Sequence, residues 1–533
     1  MSDYPPTISP SHESSLLSVS SDYSLSHGLV LRPTSNSTTQ SIHAPYSLYP
    51  TPFPSHLFHQ ALSLQTSYNE LYAKITTDDQ FLERVVGGNV AKVDEFQGKL
   101  YEIWKTVKRE GINQPLSLGL FRSDYLIHAP KTGEDGKEEV GKERWGLKQV
   151  EFNTISSSFG ALSTRVGEMH RYLLESGHYP SHPLLDLSSL PKNPALESLS
   201  QGLVSAHNAY LAQQSQLAPA QTNESEEESS REKVILMVIQ DNERNAFDQR
   251  LIEWEVVQKH GIKLLRVPFS LLRTSLTLSP STHKLLYTPL SPFPTSTSPL
   301  PQPLEISLVY YRTAYSPSDY YTRQEWSTRL LIERSKAIKC PSVAMQLSGA
   351  KKVQQVLSNP KELTRFVEGE EERKGMMDSW VGLWGMEDGE EGEKLARSEA
   401  ERFVLKPQRE GGGNNIYRHD IPPFLERLEE EDRGRGEGEP KGKEGFILME
   451  LIQPPEGQSQ CLVKAGEEEA RRADVVSELG VYGVCLLEER GDGKGVEIKV
   501  NEMSGWLLRT KGRESDEGGI AVGFSVLDSP LLI

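Results

Sequence analysis

Cysteine is nearly missing from this chain. Three residues, Cys340, Cys461 and Cys485, stand far apart among 533, which excludes a disulfide framework or a zinc cage and makes a reducing compartment the expectation. Each is read as a buried apolar side chain. No stretch approaches the ~18 continuous apolar residues of a membrane-crossing helix. The N-terminus lacks the apolar core of a secretory signal and the arginines of a transit peptide, so a cytoplasmic location is expected. Positive charge is also short: 58 Lys and Arg face 75 Asp and Glu, a formal net charge of −17. That balance argues against nucleic acid or an anionic membrane as the main partner. The 13 histidines form no metal-type cluster, and neither a Ser-His-Asp order nor a Cys-His pairing stands out, leaving covalent and zinc catalysis without support.

What is present is length enough for two or three domains. Residues 1–50, rich in Ser, Pro, Thr and Tyr with Arg32 as their one basic residue, read as a poorly ordered arm. Phe96, Leu100, Ile103, Trp104 and Val107 recur at the spacing of one helix face and predict a core helix. Segments 131–144, 220–232, 278–304, 366–401 and 422–445 have the Glu/Gly/Lys or Ser/Pro/Thr composition of solvated inserts. Between them the apolar runs 234–239, 306–311, 446–449 and 481–486 predict strands, and 324–339 predicts a helix. No internal repeat is found. The alternation predicts an α/β or α+β fold with more than one sheet.

The richest segment is 406–417, Lys-Pro-Gln-Arg-Glu-Gly-Gly-Gly-Asn-Asn-Ile-Tyr. The run Phe403, Val404, Leu405 enters it as a strand. Gly411, Gly412 and Gly413 let backbone N–H groups crowd an anion, Lys406 can neutralise a phosphate, and Glu410 can hold Mg²⁺ against it. The spacing is not that of a Walker A loop, so another ATP-binding architecture is expected. Glu151 and Asn153 alternate with apolar residues and point the same way from an extended strand, a carboxylate and an amide suited to Mg²⁺. After them the turn Thr154, Ile155, Ser156, Ser157, Ser158 can bind a carboxylate or an amine. Arg122, Arg244 and Arg312, each beside an apolar run, can clamp substrate carboxylates, with Glu243, Asn245, Gln249 and Tyr315 nearby. Lys351 and Lys352 open a helix-like segment. Arg509 and Lys511 precede Gly518 and Gly519, a second candidate anion loop. The inventory favours ATP-dependent chemistry on a carboxylate.

These blocks, in order, resemble the eukaryotic-type glutathione synthetase family. The resemblance rests on Arg-Ser-Asp-Tyr at 122–125, Val-Glu-Phe-Asn-Thr-Ile-Ser-Ser-Ser-Phe-Gly at 150–160, Glu-Arg-Asn-Ala-Phe-Asp-Gln-Arg at 243–250 and Tyr-Arg-Thr-Ala-Tyr at 311–315. It continues through 330–341, 351–355, 402–415, 447–450, 477–480, 507–511 and 518–519, from about residue 55 to the end and without the arm or the inserts. It implies an ATP-grasp fold with an inserted parallel-sheet substrate-binding domain and a mobile glycine-rich lid. The implied division is 1–50 as the arm, 51–232 as the first part of the body, 233–352 as the substrate domain, and 353–533 as the remainder with a lid at about 403–455. It implies a homodimer that joins γ-glutamylcysteine to glycine through an acyl phosphate, giving glutathione, ADP and phosphate.

Carried onto the matching positions, Glu151, Asn153 and Glu410 hold Mg²⁺. Glu151, Lys351, Lys406, Glu410, Gly411, Gly412, Gly413, Asn415, Tyr417, Met449, Glu450, Ile452, Glu478, Lys511 and Glu517 surround ATP. Arg122, Ile155, Ser156, Ser157, Ser158, Glu243, Arg244, Asn245, Gln249, Arg312, Tyr315, Arg509, Ile520 and Ala521 contact the dipeptide and glycine. Arg122, Arg509 and Lys406 are the expected catalytic residues. The chain departs from the family pattern in its acidic inserts, in Glu517 where the family has Asp, and across 501–505. A ligase with another acceptor such as β-alanine, or a non-catalytic ATP-binding scaffold, are the alternative functions.

Overall fold

In Lys233–Ile239, Val234, Leu236 and Val238 pack into one apolar core while Ile235, Met237 and Ile239 pack into a second on the opposite side. A continuous apolar run does this when its period-two strand is covered on both faces. A computed structural model describes residues 3–35, 37–129, 145–216, 226–291, 302–387, 390–409, 413–434, 441–490, 495–516, 518–520 and 523–533. Among these, the strand just named belongs to a 13-stranded mixed sheet whose helices lie on both faces.

Eight strands matter most for the site: β1 (Leu116–His128), β2 (Gly146–Asn153), β3 (Lys233–Ile239), β4 (Leu304–Tyr311), β5 (Phe403–Pro407), β6 (Phe446–Glu450), β7 (Ala470–Glu489) and β8 (Val496–Gly512). β1 pairs antiparallel with β2 and with β7, and β7 with β8. β3 and β4 pair parallel. Ile338–Cys340 continues that parallel set beside β4 and meets β1 at Lys339 and Ser117, so the parallel and antiparallel parts share one sheet. A separate four-stranded antiparallel sheet runs in the order Leu383–Gly385, β6, β5, Ile416–Tyr417. Its two faces bury Phe403, Leu405 and Leu448 on one side and Val404, Ile447 and Met449 on the other.

The four apolar runs expected as strands are strands, and the amphipathic stripe is a helix, Glu95–Glu110, that buries all five residues named for it. Three expectations are corrected. The arm is ordered: Ser9 caps α1 (Pro10–His27), Pro10 sits in its first turn, and Gly28 ends it in the left-handed region at φ 81°. Leu16, Ser20 and Ser24 are buried, with Ser20 Oγ 2.8 Å from Tyr46 Oη. Small hydroxyl side chains let the helix lie close to its support, and composition alone hides that. Segments 366–401 and 422–445 are not plain loops, since they hold helices Glu370–Asp378 and Glu390–Ser398, the strand Leu383–Gly385 and most of helix Ile421–Glu431. The helix expected over 324–339 is Arg323–Glu333, after which the chain turns into the strand Ile338–Cys340. No described helix is long and apolar enough to cross a membrane.

Candidate active site

Strand register assembles the site. On β1, Arg122 and Asp124 are two residues apart and share a face. β2 sets Asn153 opposite Arg122 and Glu151 opposite Asp124. On the other flank β7 sets Gly480 opposite Asp124, and β8 sets Arg509 opposite Glu478. A Cβ on Gly480 would stand 2.8 Å from Asp124 Oδ1 and 2.9 Å from Arg122 Cδ. Glycine therefore admits the Arg122–Asp124 pair against the sheet.

Arg122 donates to Asp124 through Nε at 2.6 Å and Nη2 at 2.8 Å, the bidentate geometry of a strong guanidinium–carboxylate pair. Arg509 Nη2 donates to Asp124 Oδ2 at 3.0 Å and also to Glu478. Burial opposes charge on Arg122, yet Asp124, Tyr482 and Glu151 together raise the pKa; for Arg509 burial wins and the pKa falls. Glu151 lies 3.5 Å from Lys351 Nζ, and Lys406 Nζ donates to Val150 O at 3.0 Å. Burial pushes the Glu151 carboxyl up, but Lys351, Lys406, Arg122 and Arg509 together bring it down to about 2. It is a carboxylate at any physiological pH.

A second cluster adjoins the first, with Arg122 Nη1 donating to Ser158 O at 3.4 Å. Asp248, fully buried, accepts from Arg312 Nη2 at 2.8 Å and from the backbone N–H groups of Phe159, Ala161 and Leu162 at the start of helix Gly160–Glu175. That fixes Arg312 and the serine turn to one another. Three buried polar atoms beside the cavity, Ser157 Oγ, Asn245 Oδ1 and Arg312 Nη1, have no hydrogen-bond partner among the described residues. Buried polar atoms are rarely left so, and a polar ligand would satisfy them. Ser156 and Phe159 hold positive φ, 53° and 71°, a strain that clusters at functional sites.

The small sheet closes the remaining side. Lys406 on β5 is buried, Met449 and Glu450 on β6 line the wall, and Lys351 Nζ donates to Arg409 O at 2.9 Å. Asn415 Nδ2 donates to Tyr417 Oη at 3.1 Å, and Arg418 grips Asp516 at 2.9 and 2.8 Å.

The cavity, about 470 Å³, takes in 22 of the 25 candidate residues that are described, among them Ile155, Ser158, Glu243, Tyr315, Ile452, Lys511 and Ile520. Glu410, Gly411, Gly412, Glu517 and Ala521 lie outside the described residues. Arg244 and Gln249 do not line the cavity. Gln249 is fully buried behind Glu243, donating to it at 2.7 Å, while Arg244 Nε turns to Arg32 O at 3.5 Å. Gly413 is exposed and off the wall. Sequence reasoning missed Asp124 and Asp248, although both stand inside quoted blocks; Arg122 and Asp124 at i and i+2 on a strand was a usable signal. Gln240, Arg418 and Asp516 also reach the site, and nothing in their local sequence marks them.

The oxygen donors fit a hard divalent cation. The Asn153 amide nitrogen donates to Asp124 Oδ2 at 3.0 Å and to Arg122 O at 3.3 Å, which leaves Oδ1 as an oxygen donor near the ionised carboxylate of Glu151. Among the described residues no group of three or more His, Cys, Asp or Glu forms a cage. Mg²⁺ does not need one, because it keeps waters and substrate phosphates among its ligands.

A family model described as eukaryotic glutathione synthase, ATP-binding domain, matches residues 10–532. The match reaches back through α1, so the arm falls inside the family's span, contrary to expectation. The glutathione synthetase large chain of Schizosaccharomyces pombe is 35% identical over 523 residues, covering 95% of each chain. The glutathione synthetase of Homo sapiens is 34% identical over 515 residues, 96% of this chain and 94% of that one. Among solved structures, a glutathione synthetase-like effector from Globodera pallida, in its apo form, superposes with a TM-score of 0.70 at 21% identity over 99% of this chain and 98% of that one. That last likeness speaks for the fold alone.

Proposed function

The chain belongs to the eukaryotic glutathione synthetase family, and on that premise we propose that it is an ATP-dependent ligase joining γ-glutamylcysteine to glycine. The observation that carries this reading is the convergence of Arg122, Arg509, Lys351 and Lys406 with the ionised Glu151 in one cavity. Cations gathered from four chain segments suit two anionic substrates that must be brought together.

The dipeptide's cysteinyl carboxylate attacks the γ-phosphorus of ATP, ADP leaves, and an acyl phosphate forms on the substrate. The glycine amine then attacks the acyl carbon and inorganic phosphate departs. In this reading Lys406 and Lys351 offset phosphoryl charge, and Arg122 and Arg509 offset the oxyanion that develops at the acyl carbon. Glu151, Asn153 and Glu410 would hold Mg²⁺, which would supply charge neutralisation for the phosphates. Arg312, the serine turn, Glu243, Asn245 and Tyr315 orient the dipeptide. Met449, Glu450, Ile452, Glu478, Lys511, Asn415 and Tyr417 orient ATP, with Gly411, Gly412, Gly413 and Glu517 completing that set and Ile520 and Ala521 closing on glycine.

The architecture proposed is ATP-grasp, divided at 51–232, 233–352 and 353–533. The small sheet serves as the lid and begins at Leu383, earlier than about 403. The protein works as a cytoplasmic homodimer; a light-scattering mass of one chain, or recovery in the membrane fraction, would overturn that part. The chemistry is tested by supplying hydroxylamine with ATP, Mg²⁺ and γ-glutamylcysteine but no glycine. The reading predicts the dipeptide hydroxamate, formed with ADP one for one. ADP release with no hydroxamate would contradict an acyl phosphate.

A further inference from the structure

We propose that Asp124 is a positioning residue of this ligase: it sets the guanidinium groups of Arg122 and Arg509 at the reacting carboxylate. The inference rests on the ligase reading above and concerns a side chain given no role by it.

Asp124 is fully buried and lies outside the cavity wall, so it reaches substrate only through what it holds. Its two oxygens accept four N–H groups: Arg122 Nε at 2.6 Å and Nη2 at 2.8 Å, Arg509 Nη2 at 3.0 Å and Asn153 Nδ2 at 3.0 Å. All three donors line the cavity. Two guanidinium groups drawn to one spot repel each other, and a carboxylate between them offsets that repulsion, fixing the plane of Arg122 through two bonds and tethering Arg509 through one. The bond to Asn153 extends the arrangement to a third side chain of the cavity wall. Gly480 gives independent support, because its missing side chain leaves the space that Asp124 Oδ1 and Arg122 Cδ fill. A pair serving only to stabilise the sheet would not have to organise cavity-facing donors from β1, β2 and β8 at once.

The test uses the full-length chain and begins with wild type. Absence of dipeptide- and glycine-dependent ADP release at that stage is a failure of the ligase reading, not of this inference. Given wild-type turnover, Asp124→Asn keeps the shape but removes the charge and offers an amide hydrogen to donors. Its kcat should fall ~100-fold, the scale of losing a preorganised charge-stabilising group, while KM for ATP and the melting temperature stay close to wild type. Gly480→Ala keeps the carboxylate and displaces it, and should lower kcat ~10-fold by misplacing the same groups. Should Asp124→Asn not fold, Gly480→Ala alone decides. In an Arg509→Ala background, Asp124→Asn should cost a smaller factor than in wild type, because the part of its effect that acts through Arg509 is already lost. A kcat within threefold of wild type in the folded single variants, or losses that multiply in the double variant, would overturn the inference.

Discussion

Two buried titrating groups pull the stability of this protein in opposite directions with pH, and separating them is a stringent test of the structure. His170 on helix Gly160–Glu175 is fully buried, with Nε2 2.8 Å from Ser47 O and Nδ1 2.6 Å from Ser529 Oγ. Burial lowers its pKa from 6.5 to about 4, only partly countered by the Ser47 bond. Asp528, adjacent in sequence to Ser529, accepts from Thr51 Oγ1 at 2.5 Å and Thr510 Oγ1 at 2.6 Å, yet burial raises its pKa from 3.8 to about 6. For His170 the folded chain binds protons less readily than the unfolded chain, so stability is full above pH 6.5 and is lost as pH falls toward 4. For Asp528 the folded chain binds its proton more readily, so stability is full below pH 3.8 and is lost as pH rises through 6. Each group carries about 3 kcal/mol at ~1.4 kcal/mol per pKa unit, and between pH 5 and 7 the changes are about +2 for His170 and about −1 for Asp528. In wild type they largely cancel. Asp528→Asn leaves His170 alone and should gain about 2 kcal/mol from pH 5 to 7, whereas His170→Gln should lose about 1, relative to the background both share. Urea unfolding of the two variants at several pH values measures the difference, in which every other carboxylate cancels. Parallel curves would refute the burial argument.

Three further outcomes follow from the geometry. Glu151→Gln removes the ionised donor of the proposed metal pair and should raise the Mg²⁺ concentration for half-maximal turnover at least ~10-fold, with activity partly recovered at high Mg²⁺; an unchanged Mg²⁺ titration would remove Glu151 from the metal set. Leu16→Ala, at a position only 1% exposed, should cost ~2–5 kcal/mol of stability in urea, whereas a loosely draped arm would cost nothing. Arg418→Gly relieves a positive φ of 48° and breaks the partly exposed pair with Asp516. Such a pair is worth ~0.2–1 kcal/mol, so KM for ATP should rise less than ~5-fold, and a larger rise would show that the contact holds the small sheet shut.

Much of the site was legible because its residues come in short strand-borne blocks whose period of two announces a shared face. Glu151 with Asn153 was found that way, and the four strands 234–239, 306–311, 446–449 and 481–486 by their continuous apolar, β-rich composition. Gln249 and Arg244 stand off the cavity wall that Glu243 and Asn245 line, because proximity in sequence does not say which side of a helix start faces a cavity. Asp248 was hidden for a different reason: its partners, Arg312 and the N–H groups of Phe159, Ala161 and Leu162, are 64 or more residues away. α1 was hidden by its composition, since serine-rich sequence resembles solvated chain until the capping residues Ser9, Pro10 and Gly28 are read together. The helices and the strand inside 366–401 were hidden likewise, because charged surface residues outnumber the few apolar ones, such as Met376 and Leu383, that anchor them.

The central claim is tested most directly by following ADP release from purified protein with ATP, Mg²⁺ and γ-glutamylcysteine, in the presence of glycine, of β-alanine or of no acceptor, and identifying the peptide by mass. The account predicts one glutathione per ADP with glycine, little turnover without an acceptor, and a lower kcat/KM with β-alanine, whose extra methylene is worth only ~1–3 kcal/mol. Preference for β-alanine would reassign the acceptor. ATP hydrolysis without any peptide product, from a folded protein, would contradict the claim.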